Sequence, residues 1–147
     1  EERLAEAMRR VHASAPRPVS FVFFPMNAIQ FGMSDLRSAF RIRQLLGSEV
    51  DFRVWEGDAT LDGVIGMLRT MDAVITMRFH AAVFALSQQR RVLGIDYRIG
   101  KDYKVTALLR DAGRNQDCTR IDAMTVEWLV DRLMDVARTT PQSATIL

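Results

Sequence analysis

The chain alternates short apolar runs with longer segments in which apolar residues recur every three or four positions. Four runs, at 19–24, 50–54, 73–77 and 92–95, are rich in β-branched and aromatic residues and predict β-strands. The run at 19–24 is apolar at every position but one and stops at Pro25. Such a run is typical of a strand that is covered on both faces, so we expect it in the interior of a parallel sheet.

The segments between these runs have the spacing of amphipathic helices. We predict helices at 1–14, from Ser34 or Asp35 to Gly47, from Thr60 through Leu68, at 81–87, at about 104–112 and at 125–137. Capping residues set several of the ends, with Thr60 at a start and Gly47 and Gly113 at ends. Strand and helix alternate at least four times, which predicts an α/β fold built on a doubly wound parallel sheet.

Composition narrows the class of protein. The 147 residues are 48% hydrophobic and 26% charged, which predicts one compact domain. The net charge of +2, with dispersed basic residues, argues against a nucleic-acid partner. No apolar run approaches the roughly 18 residues of a membrane span, and the start of the chain does not resemble a signal peptide. The single cysteine, Cys118, excludes an internal disulfide and fits a reducing compartment.

In an open parallel sheet, ligands bind outside the carboxyl ends of the strands. The predicted strands place four loops there, at 25–34, 56–59, 78–80 and 96–103. The loop at 78–80 joins a buried strand to a helix N-terminus, where unpaired backbone N–H groups and the helix dipole attract anions. This junction is therefore the first place to look for a site.

Arg78 and His80 make that junction the strongest candidate. A guanidinium can bind phosphate or carboxylate through two parallel hydrogen bonds, and an imidazole can donate a hydrogen bond or transfer a proton. On residue type alone, a surface arginine and a structural histidine explain the same pattern. The other histidine, His12, lies in a helix before a proline-rich break, and we assign it a structural role.

The two lysines of the chain lie together in one predicted loop. Eighteen of the 20 basic residues are arginine, and the others are Lys101 and Lys104. A compact ammonium group in place of a guanidinium favours a binding role, although chance clustering on a solvated loop gives the same pattern. Tyr97 and Tyr103 flank the pair and fit either the core or the wall of a crevice.

Longer motifs around these residues resemble a known family. The motifs are FPM at 24–26 with Asp35 at a helix start, DAVITMRFHAAVFAL at 72–86, VLGIDY at 92–97, Lys104–Val105, and LLRDAG at 108–113. They are similar to the C-terminal part of the polysaccharide pyruvyl transferase family. Its pattern runs D-x-V-I-x-x-R-x-H-x-x-x-F-A, then a strand, a tyrosine, Lys-Val and a helix that ends in Leu-Gly. The likeness extends in element order from residue 19 to about residue 137.

The resemblance implies a GT-B-like fold, in which two Rossmann-like lobes face each other across the active site. Residues 1–147 then form the single C-terminal, donor-binding lobe, without the N-terminal acceptor lobe. The implied reaction moves a pyruvyl group from phosphoenolpyruvate to a sugar diol of a polysaccharide or its precursor and forms a pyruvate ketal. Such a protein belongs to bacterial exopolysaccharide or cell-wall biosynthesis, and the isolated lobe is expected to be inactive.

By the same resemblance, Arg78 and His80 contact the donor and are catalytic, and Tyr97 and Lys104 match substrate-binding positions. The interval from Tyr97 to Lys104 is a few residues longer than in the family pattern, so Lys101 is an alternative for the family lysine. We expect His80 either to bind the phosphate and donate a proton to it as it departs, or to act as the general acid at the methylene carbon.

No cofactor beyond the donor substrate is implied. A metal is not indicated either, because no Asp-x-Asp pair or His/Asp cluster occurs. The expected location is the cytoplasm. A lipid-linked acceptor would bring the protein into contact with the inner face of the cell membrane.

Two other classes stay open. A GT-B glycosyltransferase that uses nucleotide sugars would also hold donor phosphates in this lobe, and Glu56 or Asp96 could bind its ribose. A non-catalytic assembly module would account for the eight methionines and eight phenylalanines as surface for partners.

Overall fold

A computed structural model describes residues 1–25, 34–56, 60–100, 103–140 and 144–147. The strands in this part of the chain are β1 (Val19–Phe23), β2 (Phe52–Val54), β3 (Ala73–Thr76), β4 (Arg91–Asp96), β5 (Cys118–Arg120) and β6 (Ala144–Ile146). The helices are α1 (Glu2–Ser14), α2 (Ser34–Leu46), α3 (Leu61–Thr70), α4 (Phe79–Ser87), α5 (Lys104–Asp111) and α6 (Val126–Thr139), with a 3₁₀ turn at Asn115–Asp117. All strand pairs are parallel, in the order β2-β1-β6-β3-β4-β5.

Helices cover both faces of the sheet. Helices α1, α2 and α6 pack on one face and α3, α4 and α5 on the other, each group with its own apolar cluster. Successive strand residues supply the two clusters in turn, because side chains alternate across a strand: Leu93 belongs to the first cluster and Val92 to the second. The fold is therefore a Rossmann-like doubly wound α/β sheet, as predicted.

The four predicted strands are all present, and β1 lies inside the sheet between β2 and β6, as expected. The sequence did not predict β5 and β6. Each has only three residues, and neither lies in a run of five alternating apolar and polar positions like the one at 50–54 around β2. Pairing with neighbours defines them instead, since β6 fills the gap between β1 and β3 with Ala144 and Ile146 buried.

Several predicted helix ends are confirmed. The hydroxyl of Thr60 accepts a hydrogen bond from the backbone N–H of Gly63 (3.2 Å) and caps α3. Gly47 and Gly113 follow α2 and α5 with φ of 67° and 71°, the left-handed region in which glycine is favoured. Helix α4 differs, because it begins at Phe79, two residues before the predicted start. Its first turn contains a polar side chain, so the apolar pattern starts later than the helix.

Gly94 lets α5 approach β4 closely. A Cβ atom at this position would lie 2.6 Å from both Leu109 Cδ1 and Val105 Cγ1, which are side-chain atoms of α5. The missing side chain therefore brings α5 against the sheet, with its N-terminus beyond the carboxyl end of β4.

Candidate active site

The carboxyl ends of β3 and β4 lie side by side, with Thr76 paired to Gly94 at the end of their ladder. Each strand leads into a helix, β3 into α4 and β4 through a loop into α5. A cavity of about 310 Å³ lies between the two helix N-termini. Its lining residues are Met77, Arg78, Phe79, His80, Tyr97, Tyr103, Lys104 and Val105.

This cavity brings together four of the five predicted site residues, namely Arg78, His80, Tyr97 and Lys104. The fifth, Lys101, lies outside the described residues, as do 26–33 and 57–59 of the predicted loops. The choice between Lys101 and Lys104 as the family lysine therefore stays a prediction. Tyr97 and Tyr103 form part of the wall and not of the core.

Arg78 precedes α4 and is held at both its backbone and its side chain. The hydroxyl of Thr76 accepts a hydrogen bond from the Arg78 N–H (3.0 Å), and the Arg78 carbonyl accepts one from Ala82 (3.1 Å). Its Nη2 donates to both carboxylate oxygens of Asp35, at 3.1 and 3.0 Å. Asp35 lies in the first turn of α2, so this ion pair ties α2 to the site and orients the guanidinium.

The pair with Asp35 does not use the whole guanidinium. Within the described ranges, Nε and Nη1 of Arg78 form no hydrogen bond, and 46% of the side chain is exposed. Because an arginine has five donors in a planar fork, these atoms can still bind an anion.

His80 lies in the first turn of α4 and is exposed to solvent. No side chain in the described part of the chain caps this helix, so its first N–H groups are available to a ligand. The ring of Phe79 meets the His80 ring edge to face, with 5.7 Å between centroids. A helix N-terminus, an imidazole and a guanidinium therefore converge on one cavity.

Asp96 fixes the start of α5. Its carboxylate is fully buried, and Oδ2 accepts hydrogen bonds from the backbone N–H groups of Tyr103 (2.8 Å) and Thr106 (3.1 Å). This is the role of a helix cap, performed from the end of the neighbouring strand. Asp96 also offsets the unfavourable position of Lys104, a cation in the first turn of a helix.

The ring of Tyr103 lies among three other side chains. The Arg98 guanidinium carbon is 4.2 Å from the ring centroid, and the Lys104 ammonium nitrogen is 5.8 Å from it. Tyr97 meets the same ring edge to face at 5.6 Å. Both cations are within the distance at which an aromatic face attracts positive charge.

Sequence reasoning missed two features of this site. It noted Asp35 at a helix start but not its pairing with Arg78, because 43 residues separate them and no local pattern connects them. It also passed over Arg98, which is one of many arginines. The long interval between Tyr97 and Lys104 was the available signal, because Arg98 lies within it.

Asp96, named from the sequence as a possible ribose ligand, and His12, assigned a structural role, do not line this cavity. Asp96 is buried and bonded to backbone N–H groups, so it is not available to a ribose. His12 lines a larger cavity of about 870 Å³, which is also lined by Arg43 of α2 and Phe52 of β2. That cavity lies at the amino end of β2, the opposite end of the strands from Arg78, and the rule for open sheets disfavours it.

Among the residues that the structure describes, no three histidine, cysteine, aspartate or glutamate side chains come together as a metal site. The same residues include no helix that is long and apolar enough to cross a membrane.

Comparison with protein families gives one match. The model of the family described as polysaccharide pyruvyl transferase matches residues 18–98, more than half of the chain. This chain therefore belongs to the polysaccharide pyruvyl transferase family, which is a family of transferases. The match includes Arg78, His80 and Tyr97 and ends before Tyr103 and Lys104. Searches of curated proteins and of solved structures returned no match.

Proposed function

We propose that this chain is the donor-binding lobe of an enzyme that transfers a pyruvyl group from phosphoenolpyruvate to a sugar diol. One observation carries the proposal: Arg78 and His80 share an uncapped helix N-terminus inside the family match, on a cavity that Lys104 also lines. The second lobe, which would bind the acceptor, and the GT-B-like arrangement of the two are part of the proposal.

Phosphoenolpyruvate carries a phosphate and a carboxylate and so needs two cationic groups. Arg78, with the N-terminal N–H groups of α4, binds one anion. Lys104, at the start of α5, binds the other from across the cavity, with Lys101 as the alternative. Tyr97 forms the wall between them.

The chemistry adds a proton to the methylene carbon C3 and leaves an oxocarbenium-like centre at C2. One sugar hydroxyl forms a C–O bond to C2 and loses its proton. The bond between C2 and the phosphate oxygen then breaks, phosphate leaves with the electron pair and a proton, and the second hydroxyl bonds to C2. One hydroxyl hydrogen thus ends on the new methyl group and one on phosphate. His80 supplies a proton to C3 or to the departing phosphate.

The acceptor in this proposal is a polysaccharide or its precursor, in bacterial exopolysaccharide or cell-wall biosynthesis. The enzyme works in the cytoplasm and meets the inner face of the membrane where the acceptor is linked to a lipid. No further cofactor takes part.

The test compares Arg78→Ala, His80→Ala and Arg53→Ala in the two-lobed protein. Pyruvyl transfer is expected to fall about 10²-fold or more in the first two variants, since each loses a group that acts on the reacting donor. Arg53 is a matched control, because it is an exposed arginine on β2 at the far edge of the sheet. Near-normal turnover of both Arg78→Ala and His80→Ala would refute the assignment.

Ligand stabilisation separates the other classes. Phosphoenolpyruvate is expected to raise the melting temperature of the wild type, and Arg78→Ala to reduce that rise. A rise with a nucleoside diphosphate alone would favour a nucleotide-sugar glycosyltransferase. If neither phosphoenolpyruvate nor a nucleoside diphosphate raises the melting temperature, and Arg78→Ala changes nothing, a non-catalytic assembly module is favoured.

A further inference from the structure

Two cations beside the cavity lack the carboxylate partners that Arg78 and Arg120 have. Arg98 and Lys104 are both exposed, and within the described ranges neither forms an ion pair with a carboxylate. Both instead lie against the ring of Tyr103, at 4.2 and 5.8 Å from its centroid. The hydroxyl of Tyr103 likewise forms no hydrogen bond to any described residue. We call Arg98, Tyr103 and Lys104 the rim subsite.

The backbone that carries the rim subsite is anchored on both sides. The N–H of Tyr103 donates to buried Asp96 (2.8 Å), and the N–H of Gly100 donates to Asp122 (3.3 Å). A hydrogen bond from Arg120, followed by the one from Gly100, holds the pKa of Asp122 below its usual value. Asp122 therefore stays charged, and its charge is taken up by Arg120 and not by Arg98.

Among the residues that the structure describes, the nearby acidic groups do not neutralise the rim subsite. Asp35 is bonded to Arg78 and Asp96 to the backbone of α5. Two unpaired positive charges around one ring match a dianion better than a singly charged carboxylate. A tyrosine hydroxyl beside them adds a donor for an oxyanion.

We propose that the rim subsite binds a phosphate group, separately from the anion bound by Arg78 and α4. The phosphate belongs either to the donor or to a phosphorylated acceptor, because both present the same dianionic phosphate group. Where the phosphate is that of the donor, the inference rests on the proposed function, in which Lys104 binds a donor anion. It adds Arg98 and Tyr103 to that site, of which Tyr103 lies beyond the family match, and it predicts phosphate binding without turnover.

The experiment follows backbone amide shifts of the 147-residue chain during titration with inorganic phosphate at low salt. In the wild type, the amides of Gly100 and Tyr103 and those of Phe79 and His80 are expected to shift. Arg98→Gln is expected to weaken the response at Gly100 and Tyr103 about twofold to fivefold, the range for loss of one exposed charge pair. The response at Phe79 and His80 should stay, so the two sites are resolved in one spectrum.

Controls separate the parts of the subsite. Tyr103→Phe keeps the ring that holds Arg98 and should retain most of the response, while Tyr103→Leu should lose it. Arg53→Gln makes the same change in charge at the far edge of the sheet and should leave phosphate binding unchanged. Equal responses in Arg98→Gln and the wild type, or an equal loss in Arg53→Gln, would overturn the proposal.

Two further titrations identify the source of the phosphate. If Arg98→Gln weakens binding of phosphoenolpyruvate, the subsite serves the donor. If it weakens binding of a hexose 1-phosphate and leaves phosphoenolpyruvate unchanged, the subsite serves an acceptor phosphate. If Arg98→Gln binds phosphoenolpyruvate, the hexose 1-phosphate and inorganic phosphate as well as the wild type does, the rim subsite is refuted. The proposed pyruvyl transfer is then still tested by the Arg78 and His80 variants.

Discussion

The two ends of β4 use charge in opposite ways. At the amino end, Arg91 donates to buried Asp117 (3.0 Å) and to Asp135 (2.6 Å), and Arg114 binds Asp117 at 2.6 and 3.0 Å. Each of these two carboxylates is matched by a guanidinium. Beyond the carboxyl end, buried Asp96 binds backbone N–H groups, and the cation Arg98 in the loop that follows has no carboxylate partner among the described residues.

The difference separates groups that hold the fold from groups that can bind a ligand. Burial lowers the pKa of Arg91, but hydrogen bonds to Asp135 and Asp117 raise it more, so the guanidinium stays charged inside its network. The guanidinium groups of Arg91 and Arg114 are therefore already engaged with carboxylates of the protein itself. At the carboxyl end, the Asp96 carboxylate bonds to backbone N–H groups of α5, which leaves Arg98 able to bind an anion from solution.

The largest effect is expected from Asp117→Asn, which removes the charge at the centre of the amino-end network. We expect a loss of about 3 kcal/mol in the free energy of unfolding, because the buried carboxylate is shared by Arg91, Arg114 and Arg132, of which Arg91 keeps a second carboxylate partner. Urea denaturation measures the loss, and phosphate-induced shifts at Gly100 should not change.

Asp51→Asn is the control for this prediction, since Asp51 forms an exposed pair with Arg53 (2.9 Å). Its effect should stay within about 0.5 kcal/mol. Similar small losses in both variants would show that the network does not hold the fold.

A smaller effect is expected from Asp96→Ala, which removes the cap of α5. We expect a loss of about 1–2 kcal/mol in the free energy of unfolding, together with a weaker phosphate response at Tyr103. Asp96→Asn keeps an oxygen that accepts the N–H hydrogen bonds and should lose less of both. If the two variants behave alike in stability and in binding, Asp96 does not position the rim subsite.

The smallest effect is a pH dependence from Asp135. A hydrogen bond from Arg91 lowers the pKa of this carboxyl below its usual 3.8. Between the lowered folded value and the unfolded value, the unfolded state binds more protons, so the free energy of unfolding rises with pH. This stability is present above the unfolded pKa and is lost as pH falls through the folded one.

Comparison of wild type with Asp135→Asn isolates this contribution. The gap in the free energy of unfolding should be less than about 1 kcal/mol, since the side chain is half exposed, and should shrink below about pH 4. A gap that stays constant across the acid range would contradict the assignment to the Arg91–Asp135 pair.

The sequence predicted most of the fold and the first part of the site. Apolar runs located β1 to β4, and the carboxyl ends of these strands pointed to Arg78 and His80. The sequence did not reveal β5 and β6. The equally short β2 was found because residues 50–54 alternate apolar and polar side chains, whereas β5 and β6 lie in no alternating run of that length and are defined by pairing with their neighbours. Helix α4 also began earlier than its apolar pattern, which moved His80 into the first turn.

The alternation of strands and helices and the family motif can be recognised from the sequence, because both depend on local order along the chain. Which charges are neutralised depends on the tertiary structure. Asp35 pairs with Arg78, which is 43 residues away in the chain, and the buried Asp96 caps α5. The ring of Tyr103 contacts the cationic groups of Arg98 and Lys104. Electrostatic pairing depends on distance in space, which the linear order of residues does not contain.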